Sequence, residues 1–318
     1  MSAGSLVRQG SVAYLLGICL VATLGGFLFG YDTAVISGAI GALQSRFDLG
    51  PTLKGWAASS ALLGCILGVV LAGPVSDRLG RRRALILAAV LFLVSALGTA
   101  FPRTLAEFVI FRIVGGIGVG IASMTSPMYI AEVSPRQIRG RMVSLNQFAI
   151  VFGMLVVYFV NYYISLQGDE AWNVARGWRW MFGSEALPAF ALMVLLFFVP
   201  PTPRWLVKQG RTSEARRILQ RIGGPQHAER ELDEIARTIS HKSESMAQLF
   251  RPGMRIALVI GVALAILQQV TGINVFLYYA PEIFKKLGSA ASSALLQTVV
   301  VGGVNMAFTL IAIWTVDT

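Results

Sequence analysis

The chain has 318 residues, of which 55% are apolar and only 14% are charged, and its mean hydropathy is +0.66. A soluble domain carries about 25% charged residues, so these charges are too few to cover a water-soluble globule. The formal net charge of +11 would suit a nucleic-acid-binding protein. Here, however, the basic residues form short groups between apolar runs. This arrangement indicates a membrane protein and excludes a nucleic-acid partner.

Eight apolar runs along the chain are long enough to cross a bilayer. A helix needs about 20 residues to span a hydrocarbon core of ~30 Å, and no run shows the ~10-residue alternation of a membrane β-strand. The sequence therefore predicts an all-α membrane protein. The predicted spans are Val12–Ala42, Trp56–Gly73, Ala84–Phe101, Leu105–Ala131, Met142–Leu166, Trp180–Val199, Met254–Tyr279 and Ser293–Val316.

The basic residues also predict the orientation. Lys and Arg are enriched in cytoplasmic loops, and the loops after the second and fourth predicted spans are rich in arginine, whereas the loop after the third has only Arg103. We therefore expect a multi-pass protein of the cytoplasmic membrane with its N-terminus in the cytoplasm. The arginines of the two basic loops are Arg78, Arg81, Arg82, Arg83, Arg136, Arg139 and Arg141.

A polar segment interrupts the spans at residues 200–253. It predicts two amphipathic helices, Pro203–Ile222 and His227–Ser243, separated by Gly-Gly-Pro at 223–225. His227 and His241 are interpreted as solvated surface histidines. Because both cysteines lie within spans, no metal site, cofactor or disulfide is expected. The predicted domains are a six-helix bundle at 1–199, a cytoplasmic helical connector at 200–253 and a partial second bundle at 254–318.

The two spans after the connector resemble the start of a second repeat. Transporters built from two parallel halves have six helices in each half, with the substrate between them. Only the first two helices of a second half follow the connector, and the motif that succeeds the second span begins again at Asp317. We expect a chain cut after its eighth helix and lacking about four more, so a shortened form that is inactive in transport is one alternative function.

Six motifs in a fixed order resemble the sugar-porter branch of the major facilitator superfamily, most closely the bacterial proton–xylose (pentose and hexose) symporters. The resemblance runs from about Tyr14 to Asp317. The motifs are Gly-Phe-Leu-Phe-Gly-Tyr-Asp (26–32), Gly-x-x-x-Asp-Arg-x-Gly-Arg-Arg (73–82), Arg-x-x-Gly-Gly-x-Gly-x-Gly (112–120), Glu-x-x-x-x-x-x-Arg (132–139), Pro-x-x-Pro-Arg-Trp-Leu (200–206) and Gln-Gln-x-x-Gly-x-Asn-x-x-x-Tyr-Tyr (268–279).

The glycines at 115–120 also suit a nucleotide-binding fingerprint, which needs a strand before it and a βαβ unit around it. They lie inside a predicted span, so close packing of helices through small residues is the better interpretation. No pair of nucleophile and base, metal cluster or phosphate loop is evident, and the chain is not expected to be an enzyme.

The resemblance implies a cytoplasmic gate of charged residues between the two bundles. Topogenic charge alone is the alternative explanation for these arginines. Similar porters usually carry Glu where this chain has Thr202, which removes one acidic residue of the gate. The implied gate residues are Asp77, Arg78, Arg81, Arg82, Glu132, Arg139 and Arg204.

Ionisable residues inside spans are costly and indicate function, and Asp32 and Arg112 are the clearest two. In the symporters that the chain resembles, the equivalent residues form the proton-coupling pair, and facilitative carriers commonly have Asn at the first position. A static ion pair that only holds helices together is the alternative. Glu107 suits an interfacial position, and the role of Glu185 stays open.

A sugar site needs groups that both donate and accept hydrogen bonds, which amides do, beside an apolar or aromatic wall. On a straight helix Gln268 and Asn274 would point about 120° apart. We therefore predict local unwinding near Gly272 that turns both amides toward one cavity. Amides that only join helices are the alternative. The candidate sugar-binding residues are Phe29, Gln147, Gln268, Gln269, Asn274, Tyr278, Tyr279 and Asn305.

The sequence thus predicts a monosaccharide transporter that works by alternating access, with a proton as the coupling partner. The alternatives are a facilitative uniporter of the same fold, a transport-inactive shortened form and a membrane sugar sensor. Neither the sugar nor the oligomeric state follows from the sequence.

Overall fold

The structure is a computed structural model that describes residues 11–240 and 252–315. These residues form helices, turns and loops and no strand, which confirms the predicted all-α fold. The first five spans are α1 (Val12–Phe47), α2 (Pro51–Leu79), α3 (Arg81–Ala100), α4 (Leu105–Val133) and α5 (Arg139–Ser165). The sixth, Glu170–Phe198, contains α6 (Glu170–Trp172), a π-helical turn (Asn173–Gly177), α7 (Trp178–Gly183), α8 (Ala186–Leu195) and a 3₁₀ turn (Leu196–Phe198).

Beyond the sixth span, three short helices precede the last two spans. The short helices are α9 (Pro203–Lys208), α10 (Thr212–Gly223) and α11 (Pro225–Ser240), and they are followed by α12 (Pro252–Val270), α13 (Ile273–Lys286) and α14 (Ala291–Thr315). The seventh span, Met254–Lys286, combines α12 and α13, and α14 is the eighth. Among the described residues, eight helical segments are thus long and apolar enough to cross a membrane.

Several predicted bounds are wrong because hydropathy detects only the apolar centre of a helix. The first span ends at Phe47 rather than Ala42, the sixth begins at Glu170 rather than Trp180, and the seventh ends at Lys286 rather than Tyr279. The added turns contain Arg46, Glu170, Glu282 and two lysines. Polar side chains of this kind remain hydrated or reach the headgroups, so a helix can continue beyond the hydrocarbon.

The predicted connector helices also need correction. The helix predicted at Pro203–Ile222 is two helices, because Gly210 adopts a left-handed φ of +75° between α9 and α10. The second begins at Pro225, since proline suits the first position of a helix. It ends at Ser240, and residues 241–243 of its predicted range, with His241, lie outside the described residues.

His227 is half-buried, not fully solvated as predicted. Its imidazole packs against Gly223, where an added Cβ would lie 2.4 Å from the ring. Burial in this position lowers the pKa of His227, and the neighbouring Arg230 lowers it further against the opposing effect of Glu231. The connector also joins the bundle through the Ser11 amide, which donates to the Arg221 carbonyl at 3.0 Å, and through an ion pair between Arg136 and Glu234.

Glycines hold α2 and α4 at very short range. Gly64 and Gly68 of α2 face the backbone of α4, and Gly116 and Gly120 of α4 face the backbone of α2. A Cβ at any of the four positions would overlap a carbonyl oxygen of the opposite helix. The glycine-rich motif is therefore a helix-packing motif, as the sequence predicted, and not a nucleotide fingerprint.

Glycines also allow close packing between α1 and α5. A Cβ at Gly30 would overlap the Ile150 carbonyl, and a Cβ at Gly153 would overlap the carbonyl of Phe27. Helix α1 also contacts α4 and the sixth span, so it lies at the centre of the first six spans. This central position is what buries Asp32, two residues after Gly30.

The seventh span breaks where the sequence predicted. Helix α12 ends at Val270, Gly272 adopts a left-handed φ of +71°, and α13 begins at Ile273. A left-handed conformation suits glycine because it lacks a Cβ. The break separates the two halves of the span and gives Gln269 and Asn274 independent directions.

Candidate functional site

A buried ion pair lies at the centre of the bundle. The guanidinium of Arg112 on α4 donates from Nη1 to Asp32 Oδ1 on α1 at 2.7 Å, and also to the Asp32 backbone carbonyl at 3.3 Å. Both side chains are 2% exposed. The Arg112 guanidinium also stands over the Phe182 ring, 5.6 Å from its centroid. Gly115 lies beside the pair and against α3, where an added Cβ would overlap the Ser95 side chain.

A second carboxyl joins the pair. Glu185, at the start of α8, is 1% exposed, and its carboxyl lies within hydrogen-bonding reach of Asp32 and in the field of Arg112. Two carboxylates and one guanidinium would leave a buried net charge of −1, whereas one shared proton makes the group neutral. In the sequence, Glu185 is recognisable only as an isolated Glu in an apolar segment. Its position beside Asp32 and Arg112 depends on how the sixth span packs against α1.

An open cavity of about 620 Å³ lies between α2 and the seventh span. Asn274 Nδ2 donates to Gln269 Oε1 at 3.0 Å across the Gly272 break. These two amides and both tyrosines of the predicted set contribute to its wall, opposite an apolar surface of α2. The cavity is lined by Gly55, Ala58, Ser59, Leu62, Cys65, Ile66, Val69, Val70, Gln269, Gly272, Asn274, Val275, Tyr278 and Tyr279.

The remaining predicted sugar-binding residues are not brought into this cavity. Gln268 is exposed on α12 and does not line it, so the expectation that Gln268 and Asn274 face one cavity is wrong. The break at Gly272 pairs Asn274 with Gln269 instead. Gln147 on α5 is exposed, Asn305 on α14 is half-buried, and Phe29 is half-buried against the core of α1, α3 and α4.

Arg81 organises the charged cluster at the N-terminal end of the bundle. Its guanidinium lies 3.0 Å from Glu132 on α4 and 3.2 Å from Asp77 on α2, and its side chain is 8% exposed. Gly80, with a φ of +84°, packs against the Trp205 ring, and Trp205 Nε1 donates to the Asp77 carbonyl at 3.1 Å. The cluster thus joins the loop between α2 and α3 to α4 and to α9.

The other implied gate residues behave differently. Arg82 donates to the carbonyls of Leu196 and Phe197 at 2.8 Å each, where a cation suits the end of the sixth span. Arg139 donates to the Ser134 carbonyl, at 3.3 Å from Nη2.

Arg78 and Arg204 are exposed, and Lys208 lies 3.7 Å from Asp77. The Thr202 side chain is fully buried. Thr202 therefore occupies the position of the usual Glu without presenting a charge to Arg204.

Comparison with known proteins decides the family. The sequence model described as "Sugar (and other) transporter" matches residues 18–318. The chain belongs to this family. It is therefore a multi-pass membrane protein of a transporter family, in agreement with the eight spans and the resemblance in the motifs.

Two curated relatives extend the match over almost the whole chain. The D-xylose-proton symporter of Escherichia coli (strain K12) is 48% identical over 335 residues, which cover 97% of this chain and 68% of that protein. The arabinose-proton symporter of Bacillus subtilis (strain 168) is 42% identical over 313 residues, which cover 98% of this chain and 68% of that protein.

A solved structure shares the fold. The xylose transporter XylE from E. coli, in a partially occluded inward-open conformation, matches with a TM-score of 0.87 and 46% identity, covering 96% of this chain and 74% of that chain. At this identity, the predicted major-facilitator architecture, a six-helix half followed by two helices of the second half, is confirmed.

Proposed function

We propose that the protein carries a monosaccharide across the cytoplasmic membrane by alternating access and couples its movement to a proton. The observation that carries the proposal is the buried ion pair of Asp32 and Arg112, whose charged atoms lie 2.7 Å apart, with the buried carboxyl of Glu185 beside Asp32. Ionisable groups inside a membrane mark proton relays and substrate paths. Two relatives whose names specify proton symport match over 97% and 98% of this chain.

The cavity beside the seventh span supports a sugar as the substrate. Gln269 and Asn274 offer donors and acceptors, while Tyr278 and Tyr279 offer aromatic faces with hydroxyl tips, against the apolar wall of α2. A mainly apolar pocket with a few placed polar groups is typical of small-molecule sites. The named sugars of the two relatives, xylose and arabinose, are pentoses, which makes a pentose the first candidate.

The coupling follows from the charge count of the buried group. With a proton on one carboxyl, the group is neutral and can stay in a low-dielectric interior while the helices around it move. After the proton leaves, the second carboxylate attracts Arg112, and that attraction opposes movement of α4 and the sixth span relative to α1. The protonated and deprotonated forms of the buried group thus favour different arrangements of the helices. A coupled carrier needs such a difference in free energy between its states.

The distribution of charge supports a cytoplasmic N-terminus. The Arg81 cluster, the Ser11–Arg221 contact and the Arg136–Glu234 ion pair all lie at the same end of the bundle as the connector. Positive charge concentrated in the loops of one side indicates the cytoplasmic side. The opposite end, which contains Phe47 and Pro51, is then the outer face.

Counterflow in proteoliposomes with a panel of sugars tests the sugar class. Vesicles loaded with unlabelled D-xylose should transiently accumulate labelled D-xylose, and loading with a charged amino acid should not support this. Counterflow by none of the pentoses or hexoses in the panel would contradict the proposal. A proton-motive force is unnecessary for exchange, so this assay examines the sugar claim separately from the proton claim.

Gln269→Ala and Asn274→Ala are each expected to weaken sugar binding by about 1–3 kcal/mol, because each leaves a polar partner unpaired. Isothermal titration calorimetry measures the affinity, and Gln268→Ala is the matched control, since Gln268 is exposed like Gln269 but does not line the cavity. Equal losses in all three variants would move the sugar site away from the Gly272 break.

A further inference from the structure

A polar cluster at the end of the bundle opposite the N-terminus ties the seventh span to the first two. Lys54 Nζ on α2 lies 2.8 Å from Glu282 Oε2 on α13 and donates to Gln44 Oε1 on α1 at 2.7 Å. The Lys54 and Glu282 side chains are only 14% and 21% exposed. One ammonium group therefore connects three helices, one of which belongs to the second half of the molecule.

The position of Lys54 is unfavourable for its own helix. It lies in the first turn of α2, which begins at Pro51 and contains no acidic residue there, and a cation near a helix N-terminus opposes the helix dipole. The favourable partners of Lys54 are thus on the neighbouring helices. This argues that the lysine joins helices rather than stabilising α2.

The backbone of α1 leaves space for the Glu282 carboxylate that pairs with Lys54. Gly41 of α1 lies directly beneath its carboxylate, and a Cβ at position 41 would lie 2.8 Å from Glu282 Oε1. Lys285, one turn further along α13, lies 3.6 Å from the same oxygen. The carboxylate therefore rests on the backbone of α1 while it pairs with the cation from α2.

Helix α13 links this contact to the candidate sugar site. Asn274 and Glu282 are eight residues apart on α13, which corresponds to about 12 Å at 1.5 Å per residue. Tyr278 lies midway between them. Holding Glu282 against α1 and α2 therefore fixes the half-span whose other end places Asn274 beside Gln269.

We propose that Lys54, Gln44 and Glu282 form an outer latch that holds α13 against the N-terminal bundle and closes the outer end of the sugar path. Lys54 acts as a positioning residue, because it holds the helix that presents Asn274 and Tyr278. The inference rests on the proposed transport function. When the latch opens, α13 moves away from α1 and exposes the adjoining cavity of about 430 Å³, which Ser37, Gln44, Glu282 and Lys285 help to line.

Cysteine labelling tests the latch without any need for sugar transport. Ser37 is 2% exposed and lines that cavity, so Ser37→Cys is the reporter, in a background with Cys65→Ala. Native Cys19, which is fully buried, stays as an internal reporter of unfolding. The purified protein in nanodiscs, where both faces are accessible, is treated with a water-soluble maleimide, and labelling at each cysteine is followed by peptide mass spectrometry.

Lys54→Met should accelerate labelling of Ser37→Cys about fivefold or more, at the lower end of typical couplings between two states, while Cys19 stays unlabelled. Lys54→Arg should remain within about twofold of the parent, because it restores the cation. Adding Glu282→Gln to Lys54→Met should give no further increase, since both remove one interaction. Lys286→Met is the matched control, because Lys286 on the same helix is exposed and forms no ion pair with any residue of the described ranges.

Three results would overturn the latch: unchanged labelling in Lys54→Met, equal acceleration in Lys54→Met and Lys286→Met, or labelling of Cys19 together with Ser37→Cys. The last would mean that the variant unfolds rather than opens at one end. If the labelling pattern follows the latch while counterflow detects no sugar, the transport proposal fails and the latch stands. If sugar counterflow is present and labelling does not respond to Lys54, the latch alone fails.

Discussion

Asp32→Asn is expected to abolish uphill accumulation of sugar while sugar exchange continues. Asparagine has nearly the shape of aspartate and can still accept a hydrogen bond from Arg112 Nη1, which lies 2.7 Å from Asp32 Oδ1. It cannot take up and release a proton, however. The proton that we propose Asp32 shares with Glu185 is then lost, and sugar movement should no longer depend on the proton gradient.

The measurement is the ratio of inside to outside sugar in vesicles with an imposed proton gradient, compared with counterflow in the same preparation. The variant should reach equal concentrations on both sides and retain counterflow. Glu107→Gln is the matched control: Glu107 is a carboxylate near a span end that accepts from the Arg103 amide at 2.7 Å, away from the buried group. Undiminished accumulation by Asp32→Asn would remove Asp32 from the coupling.

Arg112→Met is expected to destabilise the protein strongly. Removing one member of a buried ion pair costs about 3–5 kcal/mol, because the remaining charge has no partner in a low-dielectric interior. Here Asp32 would lose its ion-pair partner, and the buried carboxyl of Glu185 would lose the favourable field of the same guanidinium. At about 2–4 °C per kcal/mol, the apparent melting temperature in detergent should fall by roughly 10 °C.

The double variant Asp32→Asn/Arg112→Met separates charge from packing. The double variant also removes the Asp32 carboxylate, which has no cationic partner in Arg112→Met. It should therefore recover at least half of the decrease in melting temperature. The same temperature in the single and double variants would show that Arg112 acts mainly through its packing on Phe182, 5.6 Å from the guanidinium carbon. That outcome would contradict the charge-pair account of this site.

Local pattern was sufficient for the helical architecture. Apolar runs separated by arginine-rich loops predicted all eight spans, and the glycines at 115–120 predicted a close helix contact, which the structure places between α2 and α4. The break at Gly272 followed from the geometry of a straight helix and the conformational freedom of glycine. These features depend on residues within a few turns of one another.

Features that depend on contacts between distant segments could not be predicted from the sequence in the same detail. Glu185 could be recognised as an ionisable residue in a span, but its place beside Asp32 depends on how the sixth span packs on α1. Gln269 rather than Gln268 joins Asn274, because the break at Gly272 changes the direction of α13 relative to the end of α12. The Lys54–Glu282 pair joins residues 228 positions apart, and nothing in the local sequence of either residue indicates the other.

The chain contains two polar contacts whose energies would change if the helices that they join moved apart. At one end, Lys54 bridges α1, α2 and α13, and at the centre, Asp32, Arg112 and Glu185 join α1, α4 and the sixth span. Helix α1 takes part in both contacts, so the proposed protonation at the centre would act on a helix that the proposed outer latch also holds. The two contacts can therefore bias one equilibrium between arrangements.

The most direct test of the account is the proton flux that accompanies sugar entry. In weakly buffered, energy-depleted cells that express the protein, addition of D-xylose or L-arabinose should raise the external pH transiently, and an uncoupler that dissipates the proton gradient should remove the signal. Asp32→Asn should give no pH change while it continues to exchange sugar. Saturable sugar entry by the unmodified protein without any change in external pH would contradict proton coupling and favour facilitated uniport.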